Sequence, residues 1–472
     1  MNALTNSTTL ETLSDINFDF GDERINARAD FMFKKMSKSC GKWLPEIFCS
    51  STDLKGAYRF LSNNLVTPNK ILKPHSTETV KRCLSQSTVA IIQDSSDLDY
   101  DYLQSLEGFE SLHINVDKGF RIHPLLAITE EGTPLGILNT YNYTRAKVDS
   151  SKKHRNSLPI EEKESYRWLW GYREACELSK QCPDTLVVCI GDRENDIYEC
   201  LAEAQNTEIE HHAEILVRSK HNRTLADSVD ETNNKLEKKL IRSAVKIEGK
   251  LDLNQYRKNS RTANIAVRSS KVLIKAPNTC KKKTLPPIEM NAVLVSEVDP
   301  PRGQEAIQWL LLTTLPIQTA DEISRIISLY SKRWGIEIYF KVLKTGCKID
   351  AIRFQSTNRI ENYIAFMMIV AWKVMITTYL PRQYPNAPCT ILFTEIEWKL
   401  AYLSVYKNER PLPEQLPTLR EALMLVAILG GYQKRKTLPG IQTVWRGMTR
   451  LIDTIIGYEL GEKMALSRSK KP

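Results

Sequence analysis

The sequence predicts a multi-domain α/β chain in which a sheet-based domain, interrupted by an all-β insertion, lies between helical segments at both ends. Three observations carry that prediction. Two short apolar runs, TVAII and TLVVCI, each lead to an aspartate, Asp94 and Asp192, which is how α/β sheets deliver chemistry at the ends of their strands. From Ala213 to about 315 the chain is a succession of mostly alternating segments (EILVRS, LIRSAVKIEG, TANIAVRSSKVLIKA, EMNAVLVSEV, WLLLTTL), which is strand patterning. Both ends carry helical periodicity instead.

The bulk composition agrees. At 472 residues and 42% hydrophobic content the chain is too long for one ordinary domain and can fill a core in each of several. Its ten cysteines form no C-x-x-C pair and no Cys/His cluster at zinc-finger spacing, which points to reduced thiols and a cytosolic setting. The polar, acidic first twenty residues lack the pattern of an export signal, and the longest apolar run, Ile364 to Met375, is broken by Lys373. That run is expected to be a buried helix, with no membrane partner.

Taken in order, GDERINARADFMFKKMSK and STDLKGAYRFLSNN read as helices, the second capped by Ser51 or Thr52. They carry Arg28, Tyr58 and Arg59 among other basic residues, and basic helices of this kind can straddle a DNA backbone. TVAII then leads to Asp94. RIHPLLAI and LGILNTYNY, joined by EEGTP, read as a hairpin, and Ser157 to Ser179 as a helix with Trp168, Leu169, Tyr172 and Ala175 on one side.

The insertion holds most of the positive charge. From Val217 to Lys283 there are eighteen Lys and Arg against six acids, a difference of +12 where the whole chain carries +10. Such concentration is the electrostatic footprint of a nucleic-acid surface.

Beyond the insertion, Tyr330, Arg333, Glu337 and Lys344 fall within an arc of roughly 60° if the segment is one continuous helix. After the buried run, prolines 381, 385 and 388 mark an edge, and LREALMLVAILGG and VWRGMTRLIDTIIGYEL offer wide apolar stripes suited to packing or to a helix-helix dimer seam.

Three carboxylates, Asp94, Asp192 and Glu337, with no His or Cys beside them favour a hard cation, Mg²⁺ or Mn²⁺. Two such ions about 3.5 to 4 Å apart are one way to run phosphoryl transfer without a protein nucleophile. Arg333 and Lys344 can hold phosphates without competing for metal.

The spacing Tyr330, Arg333, Glu337, Lys344 resembles the Y-R-E-K signature of transposases of the IS-four insertion-sequence family. The chain is similar to the Tn-five-type members over nearly its whole length, through GDERINAR, GAYRFL, QDSSDLDY, DRENDIY, VRSKH, WLLLT, RWGIE, KTG and ILGGY. The resemblance implies an RNase H-like catalytic domain with Asp94, Asp192 and Glu337 as its D-D-E triad, two Mg²⁺ (or Mn²⁺) ions, and cut-and-paste transposition through a hairpin intermediate. It implies Trp309 as the stacking partner of a flipped base, and Tyr330, Arg333, Lys341, Lys344, Arg218, Lys220, Arg223, Arg28, Tyr58 and Arg59 as DNA contacts. It implies double-stranded DNA, both transposon ends and target, as partner, with the chain acting as a homodimer in the bacterial cytoplasm at the nucleoid. The expected domains are residues 1–75 (helical, DNA-binding), 76–215 and 316–380 (catalytic), 216–315 (β insertion) and 381–472 (helical, dimerising). Gly335 and Ile338 depart from the best-known relative, and the N-terminal segment diverges more than the core. The alternative class is a DNA-binding inhibitor of transposition that does not cut.

Overall fold

The computed structural model describes residues 16–39, 41–106, 108–109, 116, 118–144, 158–206, 211–227, 234–252, 262–277, 285–407, 409–433 and 437–469. Its strands are β1 (Thr88–Gln93), β2 (Ser96–Asp99), β3 (Gly119–Thr129), β4 (Pro134–Tyr143), β5 (Leu186–Gly191), β6 (Glu214–Arg218), β7 (Val245–Asp252), β8 (Thr262–Ile274), β9 (Ile288–Glu297) and β10 (Gln308–Thr313). The longer helices are α1 (Glu23–Ser37), α2 (Ser51–Leu61), α3 (Pro68–Leu84), α4 (Tyr166–Gln181), α5 (Ala320–Ser331), α6 (Trp334–Lys341), α7 (Thr357–Gln383), α8 (Glu395–Tyr406), α9 (Leu419–Leu429) and α10 (Ile441–Ser469). Two compact units divide the chain. One is built from Met1–Gln86, Ser96–Ala146 and Gly335–Pro472, the other from Ser87–Ser95 and Lys147–Trp334.

In the first unit, α7 is apolar on every side and buried almost throughout, as a central core helix must be. The apolar run read from the sequence is only the middle of it: α7 has 27 residues and is long and apolar enough to cross a membrane, yet 89% of its most apolar 18-residue window is buried inside the protein. Phe18, Phe33 and Phe60 gather on its Phe366, with ring centroids 5.5, 6.4 and 5.9 Å away. Pro381, expected outside the helix, lies within its last turns. The β3–β4 hairpin forms as expected, with β2 pairing antiparallel on the far side of β3. In α2 the cap is Ser50, one residue earlier than expected, its hydroxyl accepting from the Asp53 N–H at 3.5 Å.

His75 and Arg82 of α3 are buried against Trp372 of α7. The His75 Nε2 accepts the Ile137 N–H at 3.0 Å, so this ring nitrogen must be unprotonated in the folded protein. Burial, with the Arg82 charge alongside, holds the His75 pKa well below the usual histidine range. Below about pH 6.5 the unfolded chain therefore binds a proton that the folded one refuses, and stability falls as pH falls, by at most about 1.4 kcal/mol per pH unit. Denaturant midpoints at pH 7.5 and 5.5 are expected to differ in the wild type and to converge in His75→Gln, which keeps an acceptor but cannot titrate. An unchanged difference in the variant would contradict this.

In the second unit the strands run in the order β1-β5-β6-β10-β9-β8-β7. β1, β5 and β6 are parallel and the rest antiparallel, so the sheet is mixed. The expected β insertion thus continues the sheet edge to edge, because β10 pairs directly with β6. β7 ends the row with Lys246, Glu248 and Lys250 exposed, charges that discourage further strand pairing. The segment LIRSAVKIEG is only half strand: Leu236–Arg242 is a short helix that buries Leu236 and Leu240 four residues apart. The helix expected from Ser157 starts at Tyr166, preceded by a 3₁₀ turn at Ile160–Glu162, and Ser157 itself lies outside the described residues.

Candidate active site

β1 and β5 are neighbours in parallel register, with Ile92 beside Ile190. Asp94 and Asp192 each follow two residues later, so both acids leave the same end of adjacent strands at equivalent positions. At Asp94, Oδ1 accepts the Ser95 N–H at 2.7 Å and Oδ2 faces Arg333 Nη1 at 3.3 Å, with the two side chains 20% and 12% exposed. At Asp192, Oδ1 accepts the Glu194 N–H at 2.7 Å and caps the 3₁₀ turn Arg193–Asn195. Gly191 is needed there, since a Cβ would lie 2.3 Å from the buried Asn195 amide.

Beside these acids sits a cluster of aromatic and cationic groups. Tyr330, only 5% exposed at the end of α5, meets the Trp309 ring of β10 edge to face at 5.5 Å. The guanidiniums of Arg218 and Arg333 flank its hydroxyl. Burial raises the Tyr330 pKa, which the two cations oppose and Asp192 reinforces. The phenol therefore stays neutral at physiological pH. Arg218 ends β6 and donates Nη2 to the Gln308 carbonyl at 2.8 Å, while its Nε is buried with no partner among the described residues. Burial lowers its pKa from the usual arginine value. A buried cationic N–H without an acceptor is costly in a protein interior and suits an anionic oxygen.

The segment 330–344 is not one helix. α5 stops at Ser331, and the N–H groups of Lys332 and Arg333 bond three residues back, to Leu329 and Tyr330, which tightens the chain into a kink. Gly335 weakens helix continuation just beyond it. Arg333 thus stands in the kink, Glu337 in the first turn of α6, Lys341 at its end, and Lys344 in a π-turn, Val342–Gly346. The four residues thus stand on separate elements rather than on one helical face. Glu337 is half-buried between the buried Ile336 and Ile338. Lys344 Nζ donates to the Asp97 carbonyl at 2.5 Å.

The other expected DNA contacts divide. Lys220 and Arg59 are exposed. Arg28 packs over Phe31, 3.5 Å from Asp53, and Tyr58 lies under the Arg359 guanidinium, so both are partly engaged in the fold. Arg223, expected as a DNA contact, is buried on Asp196 and donates Nε at 2.8 Å. Six of the eighteen basic residues in the insertion (Arg257, Lys258, Arg261 and Lys281 to Lys283) lie outside the described residues.

Asp196 was not singled out by sequence. Its carboxylate is fully buried and accepts from Ser219 Oγ (2.9 Å), the N–H groups of Lys220 (2.8 Å) and His221 (3.0 Å), and Arg223. It therefore ties the turn after Asp192 to the loop that follows Arg218. The signal was present in DRENDIY, but three acids crowd that motif and nothing marks which is buried.

Among the described residues no group of three or more His, Cys, Asp or Glu side chains forms a ready metal cage. The oxygen-only donors Asp94 and Asp192 nevertheless fit a hard divalent ion, which is commonly bound through one or two carboxylates with phosphate oxygens completing its shell.

Family models match three parts of the chain: a transposase DNA-binding domain over residues 12–66, a transposase DDE domain over 173–372 and the transposase Tn5 dimerisation domain over 369–470. Asp192 and Glu337 fall inside the DDE match and Asp94 precedes it. Among solved structures, the cryo-EM structure of a piggyBac transposase synaptic complex with hairpin DNA aligns with 95% of this chain and 71% of that chain, at 10% identity and a TM-score of 0.32. Matches to DNA-binding, DDE and dimerisation domains make this a transposase enzyme with DNA and a second copy of itself as partners, in a family generally dependent on divalent metal. The chain belongs to the Tn5-type DDE transposases.

Proposed function

We propose that the protein excises and reinserts an insertion sequence by a cut-and-paste route in which Asp94, Asp192 and Glu337 hold two Mg²⁺ ions, with Mn²⁺ able to substitute. When bound, such ions stabilise the attacking and leaving oxygens of an in-line displacement at phosphorus. The chain's own groups do the positioning. Arg333 and Arg218 grip phosphate oxygens on either side of the Tyr330 hydroxyl, and Trp309 offers its ring to a base unstacked from the duplex. Lys341 and Lys344 extend the grip, while Lys220, Arg28, Tyr58 and Arg59 hold the transposon end. Water nicks one strand, the freed 3′-OH attacks the opposite strand to close a hairpin, water reopens it, and the 3′-OH attacks target DNA.

The observation that carries this proposal is the pairing of Asp94 with Arg333, 239 residues away, beside a tyrosine whose charge state two guanidiniums influence. Acid and phosphate-gripping cation then face one space. The proposal is tested with Asp192→Asn, which keeps an oxygen for the Glu194 N–H but loses the anionic ligand. Incubated with Mg²⁺ and duplex DNA bearing the inverted repeats that flank its gene, the wild type is expected to give nicked and hairpin products, and Asp192→Asn neither, with DNA binding retained. Products from the variant would remove Asp192 from the chemistry, and binding without cutting by the wild type would make the chain an inhibitor.

A further inference from the structure

We propose that Trp445 of the C-terminal helix is a positioning residue for Lys344, acting through the π-turn Val342–Gly346, a claim that rests on the phosphate role proposed for Lys344. The turn closes when the Cys347 N–H reaches back to the Val342 carbonyl at 2.8 Å, one residue further than in an α-helix. Val342, Leu343 and Gly346 are buried and Lys344 half-exposed, so the lysine's direction is set by how the turn is seated.

Two contacts seat it. On one side the Trp445 indole lies beside Gly346, close enough that a Cβ there would meet Cε3 at 3.4 Å and Cδ2 at 3.5 Å, ordinary van der Waals contact. On the other, Gly41 comes so close that a Cβ on it would lie 2.8 Å from the Gly346 carbonyl oxygen, and its φ of +84° also calls for glycine. The neighbours reinforce both sides. Lys42 pairs with Asp453, about two turns beyond Trp445 on α10, and Lys348 places its ammonium 5.6 Å over the Trp43 ring. The peptide at Gly346 is thus clasped between α10 and the 41–43 segment, and Lys344 stands two residues before it.

α10 also lies within the dimerisation match. One residue of that helix therefore sets the turn carrying a phosphate contact, which links the state of the helix to the grip on DNA.

The test uses full-length protein and measures the slope of log Kd against log salt for duplex DNA bearing an element end. Lys344→Ala is expected to reduce the slope by about one phosphate. Trp445→Ala should reproduce that loss, Trp445→Phe should keep the wild-type slope, and the Trp445→Ala/Lys344→Ala double variant should be no worse than Lys344→Ala alone. A wild-type slope in Trp445→Ala, or an additive double variant, would overturn the coupling. Amine acylation of free protein, read by mass spectrometry, separates the two ideas. If Lys344→Ala leaves the slope unchanged, the phosphate role fails, but Trp445→Ala is still expected to raise Lys344 labelling several-fold, and unchanged labelling overturns the positioning role.

Discussion

Asp94→Asn is expected to lose DNA cleavage by at least about a thousandfold while binding DNA more tightly than the wild type. The loss corresponds to roughly 4 kcal/mol of transition-state stabilisation, the scale on which removal of a charged ligand from a phosphoryl-transfer site acts. The gain in binding follows from Arg333, whose Nη1 lies 3.3 Å from Asp94 Oδ2. With that carboxylate neutralised, the guanidinium is released to phosphate and a repulsive charge is removed, which is expected to strengthen binding by about three- to tenfold. Gel shift and nicking assays on one preparation check both signs together. Weaker binding by the variant would mean that Arg333 depends on Asp94 for its position more than it competes with phosphate for it.

Asp196→Ala is expected to have the largest effect on stability. It leaves the buried Arg223 guanidinium without its carboxylate and strips the acceptor from two backbone N–H groups, while Ser219 Oγ keeps only the His221 carbonyl. Breaking a buried pair in this way costs about 3–5 kcal/mol. The loss should appear in denaturant unfolding and, below the melting transition, as weakened DNA binding, since the loop that Asp196 anchors follows Arg218. Asp196→Ala/Arg223→Met removes both charges and is expected to recover most of the stability. If the double variant is as unstable as the single one, the hydrogen bonds to Ser219, Lys220 and His221 hold the loop and the ion pair does not.

What could be read from the chain and what could not follow a physical line. Asp94 and Asp192 were legible because a short apolar run ending in an acid is a local pattern, and the structure brings them to equivalent positions just past the ends of β1 and β5. The hairpin of β3 and β4 was legible for the same reason. The kink at Lys332 and Arg333 was not, because a charged stretch fits a continuous helix until tertiary contacts draw Arg333 to Asp94 and Tyr330 to Trp309. Nor was the continuity of the sheet through β6 and β10, since alternation identifies strands but not their partners. The burial of Arg223 and Asp196 was not legible for one shared reason. A charged residue reads as exposed unless its partner is known, and the partner here lies 27 residues away.

Exchanging a hard ligand for a soft one asks whether Asp192 ligates a divalent ion in the proposed reaction. Asp192→Cys should bind DNA normally, be inactive with Mg²⁺ and regain cleavage with Mn²⁺, which accepts a thiolate more readily. Equal inactivity in both metals by a folded, DNA-binding variant, or full activity in Mg²⁺, would contradict it.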